Sequence, residues 1–223
     1  LQAGGLLSIA AGVQVALSGD DGVLSVQAGD MDLVGALMAG ADVISQEGEI
    51  LWTGHGTALA MTLTGTLTVG GMGLDEKSES VSRGGMLRST GSLTMVTGGL
   101  SQNGRSIIRT QALSGDPSTS IDVTASGNVS LYGLIEALDP DATITIDAGG
   151  LLMIDGNIEA DAAITLDGGI HSSGIGFSLQ PILLQVDSYD RYVLDDQGNP
   201  IPLGGGTLLT GNGGIIHLGA DEG

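Results

Sequence analysis

A short phrase that recurs along the chain constrains its fold more than any other feature of the sequence. Residues 147–160 read DAGGLLMIDGNIEA, residues 2–16 read QAGGLLSIAAGVQVA, and residues 27–39 read QAGDMDLVGALMA. In each copy a corner of small residues is followed by apolar residues, another glycine and a second short run. Repetition at a period of roughly 20–25 residues is typical of proteins built from stacked repeats. We therefore expect a solenoid.

Runs of alternating apolar and polar residues lie between the glycines and predict short, half-buried strands. ITIDAGG at residues 144–150 returns as ITLDGG at residues 164–169, and GNVSLYGLIEA at residues 127–137 matches GLLMIDGNIEA at residues 150–160. Because the same strand phrase returns after one period, we expect like strands to stack in parallel. The sequence predicts an all-β fold, a parallel β-helix of roughly ten coils with a small hairpin insertion.

Two segments interrupt the repeat within what we expect to be a single solenoid module over residues 1–223. Residues 75–83 are polar and predict an extruded loop, while residues 181–203 contain Pro181, Pro200 and Pro202 and predict a hairpin insertion. Leu1 aligns with the middle of a repeat strand, and Gly223 joined to Leu1 reads as continuous repeat. We therefore expect one unit of a longer polypeptide, or a subunit that stacks end to end.

The charge balance excludes some classes of partner. The chain has 26 acidic and 6 basic residues, a formal net charge of -20, and no cysteine. A chain this acidic is not expected to bind nucleic acid, because phosphate contacts require Lys and Arg. The lack of cysteine excludes disulfides and thiolate metal sites, and no apolar run is long enough to predict membrane insertion.

The few basic residues are clustered. Five of the six are Lys77, Arg83, Arg88, Arg105 and Arg109, and no acidic residue occurs from Ser80 to Gly115. Arg83 and Arg105, and likewise Arg88 and Arg109, are about one coil apart, which would place each pair on one face. We predict a basic patch that makes a lateral contact with an acidic face of a neighbour. A solvated patch without a partner is the alternative.

Stacked carboxylates are the candidate cation sites. Three pairs lie one coil apart in the repeat: Asp147 with Asp167, Asp141 with Asp161, and Glu136 with Glu159. Such pairs repel each other, so they are either solvated or bridged by a cation, with Ca²⁺ as the one candidate cofactor. A single GGxGxD match, at residues 70–75, adds Asp75 as a weak candidate ligand.

No catalytic constellation emerges from the sequence. His55, His171 and His217 have different flanking residues, no HExxH or GxSxG motif occurs, and aromatic residues are scarce. We therefore expect a protein that is not an enzyme. A β-helix that binds or cleaves polysaccharide, and a calcium-dependent assembly module, remain as alternatives.

ITIDAGGLLMIDGNIEADAAITLDGG and LQAGGLLSIAAGVQV resemble the repeats of filamentous-haemagglutinin-type proteins, which are large secreted bacterial adhesins. The resemblance is best for residues 1–40 and 121–176. It implies a right-handed parallel β-helix exported to the cell surface as a stalk or fibre, without catalytic residues. The expected partners are flanking repeats of the same polypeptide or other copies of the chain, and cell-surface glycans are a further class.

Overall fold

The computed structural model describes residues 1–42, 51–74 and 80–168, and beyond them residues 177–179, 183–184, 202–204, 207–210 and 215–220. These residues form strands and no helix, so the predicted all-β class is confirmed. None of them belongs to a helix able to cross a membrane.

The strands, in chain order, are β1 (Leu7–Ile9), β2 (Gln14–Leu17), β3 (Val23–Ala28), β4 (Met31–Leu33), β5 (Ala36–Ala39), β6 (Ala41–Asp42), β7 (Leu51–Trp52), β8 (Ala58–Leu63), β9 (Thr66–Val69), β10 (Gly71–Leu74), β11 (Ser80–Arg83), β12 (Met86–Ser89), β13 (Leu93–Thr97), β14 (Gly99–Gln102), β15 (Ile107–Thr110), β16 (Ser120–Ala125), β17 (Val129–Leu131), β18 (Leu134–Ala137), β19 (Thr143–Ala148), β20 (Leu152–Ile154), β21 (Asn157–Ala160), β22 (Ala163–Gly168), β23 (Phe177–Leu179), β24 (Leu183–Leu184), β25 (Pro202–Gly204), β26 (Thr207–Thr210) and β27 (Ile215–Ala220).

Most of the strands form three parallel sheets of seven strands each. The first sheet has the order β1-β4-β9-β14-β17-β20-β23, the second β2-β5-β12-β15-β18-β21-β26, and the third β3-β8-β13-β16-β19-β22-β27. The chain therefore visits the three sheets in a fixed rotation, and each return adds a strand beside the strand laid down one round earlier.

Each sheet has seven strands among the described residues, fewer than the roughly ten coils predicted from the repeat period. Part of the described chain forms antiparallel strand pairs instead of levels of the three sheets: β6 pairs with β7, β10 with β11, and β24 with β25. Ala36 in β5 lies opposite Met86 in β12, and the chain between them includes two of these hairpins. Residues 75–79 of the predicted loop, and 181–182 and 185–201 of the predicted insertion, lie outside the described residues.

The repeated strand phrases are paired in register. Ile144 lies opposite Ile164, and Asp147 lies opposite Asp167, in the third sheet. Alternation sends Ile144 and Ile146 into a core where both are fully buried, with Thr145 between them on the outside. The inward aliphatic side chains of all three sheets form one continuous cluster. Burying each such Leu or Ile stabilises the fold by about 1.5–3 kcal/mol.

Glycines stack at the corner between the third and first sheets. The Gly29 N–H donates to the Gly5 carbonyl at 2.9 Å, Gly65 to Gly29 at 2.7 Å, and Gly98 to Gly65 at 2.7 Å. A Cβ on Gly98 would lie 2.9 Å from the Gly65 carbonyl oxygen, too close for any other residue without a backbone shift. The small-residue corner of the repeated phrase is therefore required by the close approach of successive corners.

Candidate interaction face

Four charged residues form one column on the outward face of the second sheet. Arg88 lies opposite Arg109, Arg109 opposite Glu136, and Glu136 opposite Glu159. Their inward neighbours on the same strands are fully buried or nearly so: Leu87, Ile108, Ile135 and Ile158. The column, which we call the charge ladder, therefore faces away from the core on adjacent strands about 4.8 Å apart.

Arg109 and Glu136 form an ion pair at the centre of the charge ladder. Both Nε and Nη2 of Arg109 contact Oε2 of Glu136. The Arg109 side chain is 26% exposed and that of Glu136 is 11% exposed, so the pair is partly screened from water. Charge-assisted contacts of this kind hold both side chains in fixed positions on the sheet.

Arg88 is held by an aromatic ring and not by a carboxylate. Its guanidinium lies 3.9 Å from the centroid of Trp52, and its Nη2 donates to Oε1 of Gln111 at 3.1 Å. Trp52 comes from the β6–β7 hairpin and packs with Met38 and Met86 on the outside of the sheet. Burial, and then the nearby charge of Arg109, lower the pKa of Arg88.

A second outward column runs beside the charge ladder. Met86, Ile107 and Leu134 are in register and half-buried, and Asn157 follows them on β21 and is exposed. A depression of about 240 Å³ lies at the start of this column, where Gln14 and Arg105 are among its lining residues. The face therefore combines an apolar strip with an ordered line of charges.

The other two arginines of the predicted patch lie beside the second sheet. Arg83 ends β11, and Arg105 lies in the turn before β15. Arg105 Nη1 donates to the Ser82 carbonyl at 3.2 Å, and Asn103 Nδ2 donates to the Arg83 carbonyl at 2.8 Å. Arg83 and Arg105 are thus brought near each other by the β10–β11 hairpin, whereas Arg88 and Arg109 are stacked on parallel strands.

The predicted carboxylate pairs lie one level apart. Asp147 is exposed beside the half-buried Asp167, while Asp161 Oδ2 accepts a hydrogen bond from the Asp141 N–H at 3.0 Å. Asp141 has a φ of 63°, so the Asp161 carboxylate stabilises a strained corner. Among the described residues no group of three or more His, Cys, Asp or Glu could hold a metal ion, and Asp75 lies outside those residues.

Asp139 organises a buried polar cluster that the sequence analysis missed. Its carboxylate accepts hydrogen bonds from the Ala112 N–H at 2.6 Å, from the Thr119 N–H at 3.3 Å, and from the Thr119 hydroxyl. The residue is 6% exposed. These bonds fix both ends of the long β15–β16 connection. The Asp-Pro dipeptide at Asp139 indicates a turn, but no local signal points to partners 20 and 27 positions away.

His55 and Asp116 connect two corners that are distant in sequence. His55 Nδ1 lies 2.8 Å from Asp116 Oδ1, and the Gly56 N–H donates to Asp116 Oδ2 at 3.0 Å. The hydrogen bond with Asp116, and then its charge, raise the pKa of His55, and the same hydrogen bond lowers the pKa of Asp116.

This pair gives a pH-dependence that can be measured directly. The raised pKa of His55 means that its contribution to stability is lost as pH rises through that pKa, and the contribution of Asp116 is lost as pH falls through its lowered pKa. The contact is therefore strongest at a pH between the lowered pKa of Asp116 and the raised pKa of His55. We expect NMR titration of His55 to give a pKa above that of a free histidine, and Asp116→Asn to lower this pKa because its largest cause is removed. An unchanged His55 pKa in Asp116→Asn would contradict the contact.

No protein-family model, curated protein or solved structure matches the chain. Its function is therefore inferred from the second-sheet face and from the edges of the three sheets.

Proposed function

We propose that the protein is a non-enzymatic structural and adhesive module of a secreted or cell-surface fibre. In this proposal the three parallel sheets close into a right-handed β-helix, and modules or flanking repeats continue the β-helix end to end. The fixed rotation of the chain through the sheets and their shared core support this geometry.

The main observation behind this proposal is the exposure of apolar side chains on the edge strand β27. Ile216 and Leu218 lie in register with Ile164 and Leu166, whose side chains are fully buried in the core. Because parallel partners in register face the same side, Ile216 and Leu218 point inward, yet they are 40% and 54% exposed. Exposed apolar side chains beside unpaired strand edges favour the addition of a further strand layer.

The opposite edge, at β1 to β3, has the same character. Leu7, Val15 and Leu24 are only partly buried, although Met31, Leu37 and Leu59 beside them in register are fully buried. Apolar side chains and strand hydrogen-bonding groups are therefore offered by β27 at one end and by β1, β2 and β3 at the other. A second copy placed end to end would cover both.

The composition supports a rigid fibre that stays dispersed in water. A net charge of -20 keeps a fibre soluble and discourages indiscriminate contact between its sides. With little charge in the core and no cysteine, the module depends on backbone hydrogen bonds and aliphatic stacking for its rigidity. We propose that such a rod holds adhesive surfaces away from the cell.

Sedimentation velocity of the 223-residue chain tests the stacking. We expect concentration-dependent assembly that Leu218→Lys reduces by about tenfold or more in affinity, because the substitution buries a charge in the new interface. Val96→Lys is the matched control, since Val96 is 47% exposed on the outward face of the same sheet. A wild-type chain that stays monomeric, or equal effects of the two substitutions, would contradict end-to-end stacking.

A further inference from the structure

The order of charges in the charge ladder has a symmetry. Two arginines on β12 and β15 are followed by two glutamates on β18 and β21. The midpoint lies between Arg109 and Glu136, and each positive residue has a negative residue at the same distance on the other side. A surface with this pattern is complementary to itself when its direction is reversed.

We propose that two copies of the chain pair face to face through the second sheet, antiparallel along the strand-stacking direction. A two-fold axis parallel to the strands, between β15 and β18, places Arg88 opposite Glu159 of the second copy and Arg109 opposite Glu136 of the second copy. Such an isologous interface uses the same surface on both copies. This lateral pairing goes beyond end-to-end stacking and does not depend on it.

Neither end of the charge ladder forms an ion pair with a described residue of its own chain. Arg88 and Glu159 are three strands apart, about 14 Å, so they cannot pair within one copy. Glu159 is exposed and forms no ion pair with any described residue. Arg88 has the ring of Trp52 and the amide of Gln111 as neighbours, and the adjacent Arg109 disfavours its charge. A carboxylate from a second copy would offset that repulsion.

Charge selects the antiparallel arrangement over the parallel one. In parallel face-to-face pairing, the arginine-bearing strands of the two copies would meet each other, and so would the glutamate-bearing strands. Like charges brought together in this way cost free energy and exclude that arrangement. For a chain with a net charge of -20, most other faces repel, and the described arginines lie at or beside the second sheet.

The apolar column beside the charge ladder contributes buried area. In the two-fold arrangement Ile107 meets Leu134 of the second copy, and Met86 meets Asn157 of the second copy. Four strands of four residues cover about 250 Å² per copy, or about 500 Å² in total, below the roughly 1,000 Å² typical of a stable specific interface. A single pair of modules therefore binds weakly, and repeated modules along two fibres add their contributions.

Charge-swap variants of the full chain test the pairing, in a Leu218→Lys background that suppresses end-to-end association. At low salt we expect a weak dimer, and Glu159→Lys should lower its affinity by about tenfold or more. Raising the salt concentration to about 0.5 M should also weaken the dimer, because salt screens the charges. Asp147→Lys is the matched control, because it makes the same charge change at an exposed carboxylate on the third sheet. The double variant Arg88→Glu/Glu159→Arg restores complementarity and should recover the dimer.

A cross-linking measurement covers the case in which Arg88→Glu perturbs the packing of Trp52. The chain has no cysteine, so introduced cysteines report one contact. The variant Met86→Cys/Asn157→Cys should be linked into a dimer by a bismaleimide that spans about 10 Å, the separation of facing sheets, whereas Asn157→Cys alone should not. A monomer at every accessible concentration, equal effects of Glu159→Lys and Asp147→Lys, or cross-linking of Asn157→Cys alone would overturn the proposal. The assembly of chains with an unmodified Leu218 is a separate readout, so the two proposals can fail independently.

Discussion

Gly40→Val is expected to lower the free energy of unfolding by about 3–5 kcal/mol, the sum of left-handed backbone strain and overpacking. Gly40 follows β5 with a φ of 86°, in the region that β-branched residues avoid. Its N–H donates to the Leu17 carbonyl, and its carbonyl accepts from Thr53 and Gly54. A Cβ at this position would meet the Thr90 side chain and would lie 2.8 Å from the Gly54 carbonyl oxygen.

Gly12→Val separates the two causes. Gly12 has a φ of 78°, but a Cβ there would have no atom within 4 Å. In Gly12→Val the free energy of unfolding should therefore fall only by the cost of the left-handed backbone strain, about 1–3 kcal/mol. Both variants are compared by guanidinium unfolding followed by circular dichroism. Equal losses in Gly12→Val and Gly40→Val would show that the corner at Gly40 is not packed as described.

Leu166→Ala is expected to lower the free energy of unfolding by about 2–5 kcal/mol, whereas Leu218→Ala should lower it by less than about 1 kcal/mol in the monomer. The two leucines are register partners in the same core column, but Leu166 is fully buried and Leu218 lies at the open edge. In assembled protein Leu218→Ala should lower the free energy of unfolding by more than it does in the monomer, because stacking buries the Leu218 side chain.

Guanidinium unfolding of both leucine variants, measured below and above the protein concentration at which the chain assembles, separates the stability of the monomer from the stability that stacking adds. Nearest-neighbour coupling in stacked repeats means that a cavity at one level weakens the levels on either side. A Leu218→Ala chain as unstable as Leu166→Ala in the monomer would contradict an open edge at β27.

The sequence predicted local structure well wherever a phrase repeats. The offset between ITIDAGG and ITLDGG predicted that Ile144 and Ile164 would be neighbours, and the structure pairs them in register. Alternation with period two predicts which side chains face inward, and close backbone approach explains the glycine corners. These features either recur with the repeat or alternate along a strand, so a single sequence shows them.

Other features depend on contacts that no local pattern encodes. The β6–β7 hairpin was not predicted, and the packing of its Trp52 on Arg88 requires the folded sheet. Seven strands per sheet lie among the described residues, against an expectation of roughly ten coils, and a repeat period alone does not reveal that part of the chain forms antiparallel strand pairs. The bonds from Asp139 to Ala112 and Thr119, and the contact between His55 and Asp116, join residues from different levels.

The candidate face was only partly visible in the sequence. The spacing of Arg88 and Arg109 led to their prediction as a pair, and the structure places them on adjacent strands. Glu136 and Glu159 complete the column because β18 and β21 follow in the same sheet. Their inclusion changes the interpretation of the patch, since a line of two positive and two negative residues is complementary to a second copy of itself.

Cryo-electron microscopy of assembled 223-residue chain tests the central proposal most directly. The seven levels among the described residues, about 4.8 Å apart, predict filaments with a rise of about 34 Å per chain and with strands perpendicular to the filament axis. Strands of β27 should pair with a first-level strand of the next copy. Filaments whose strands lie along the axis, or subunits that contact one another only through their sides, would contradict the proposal.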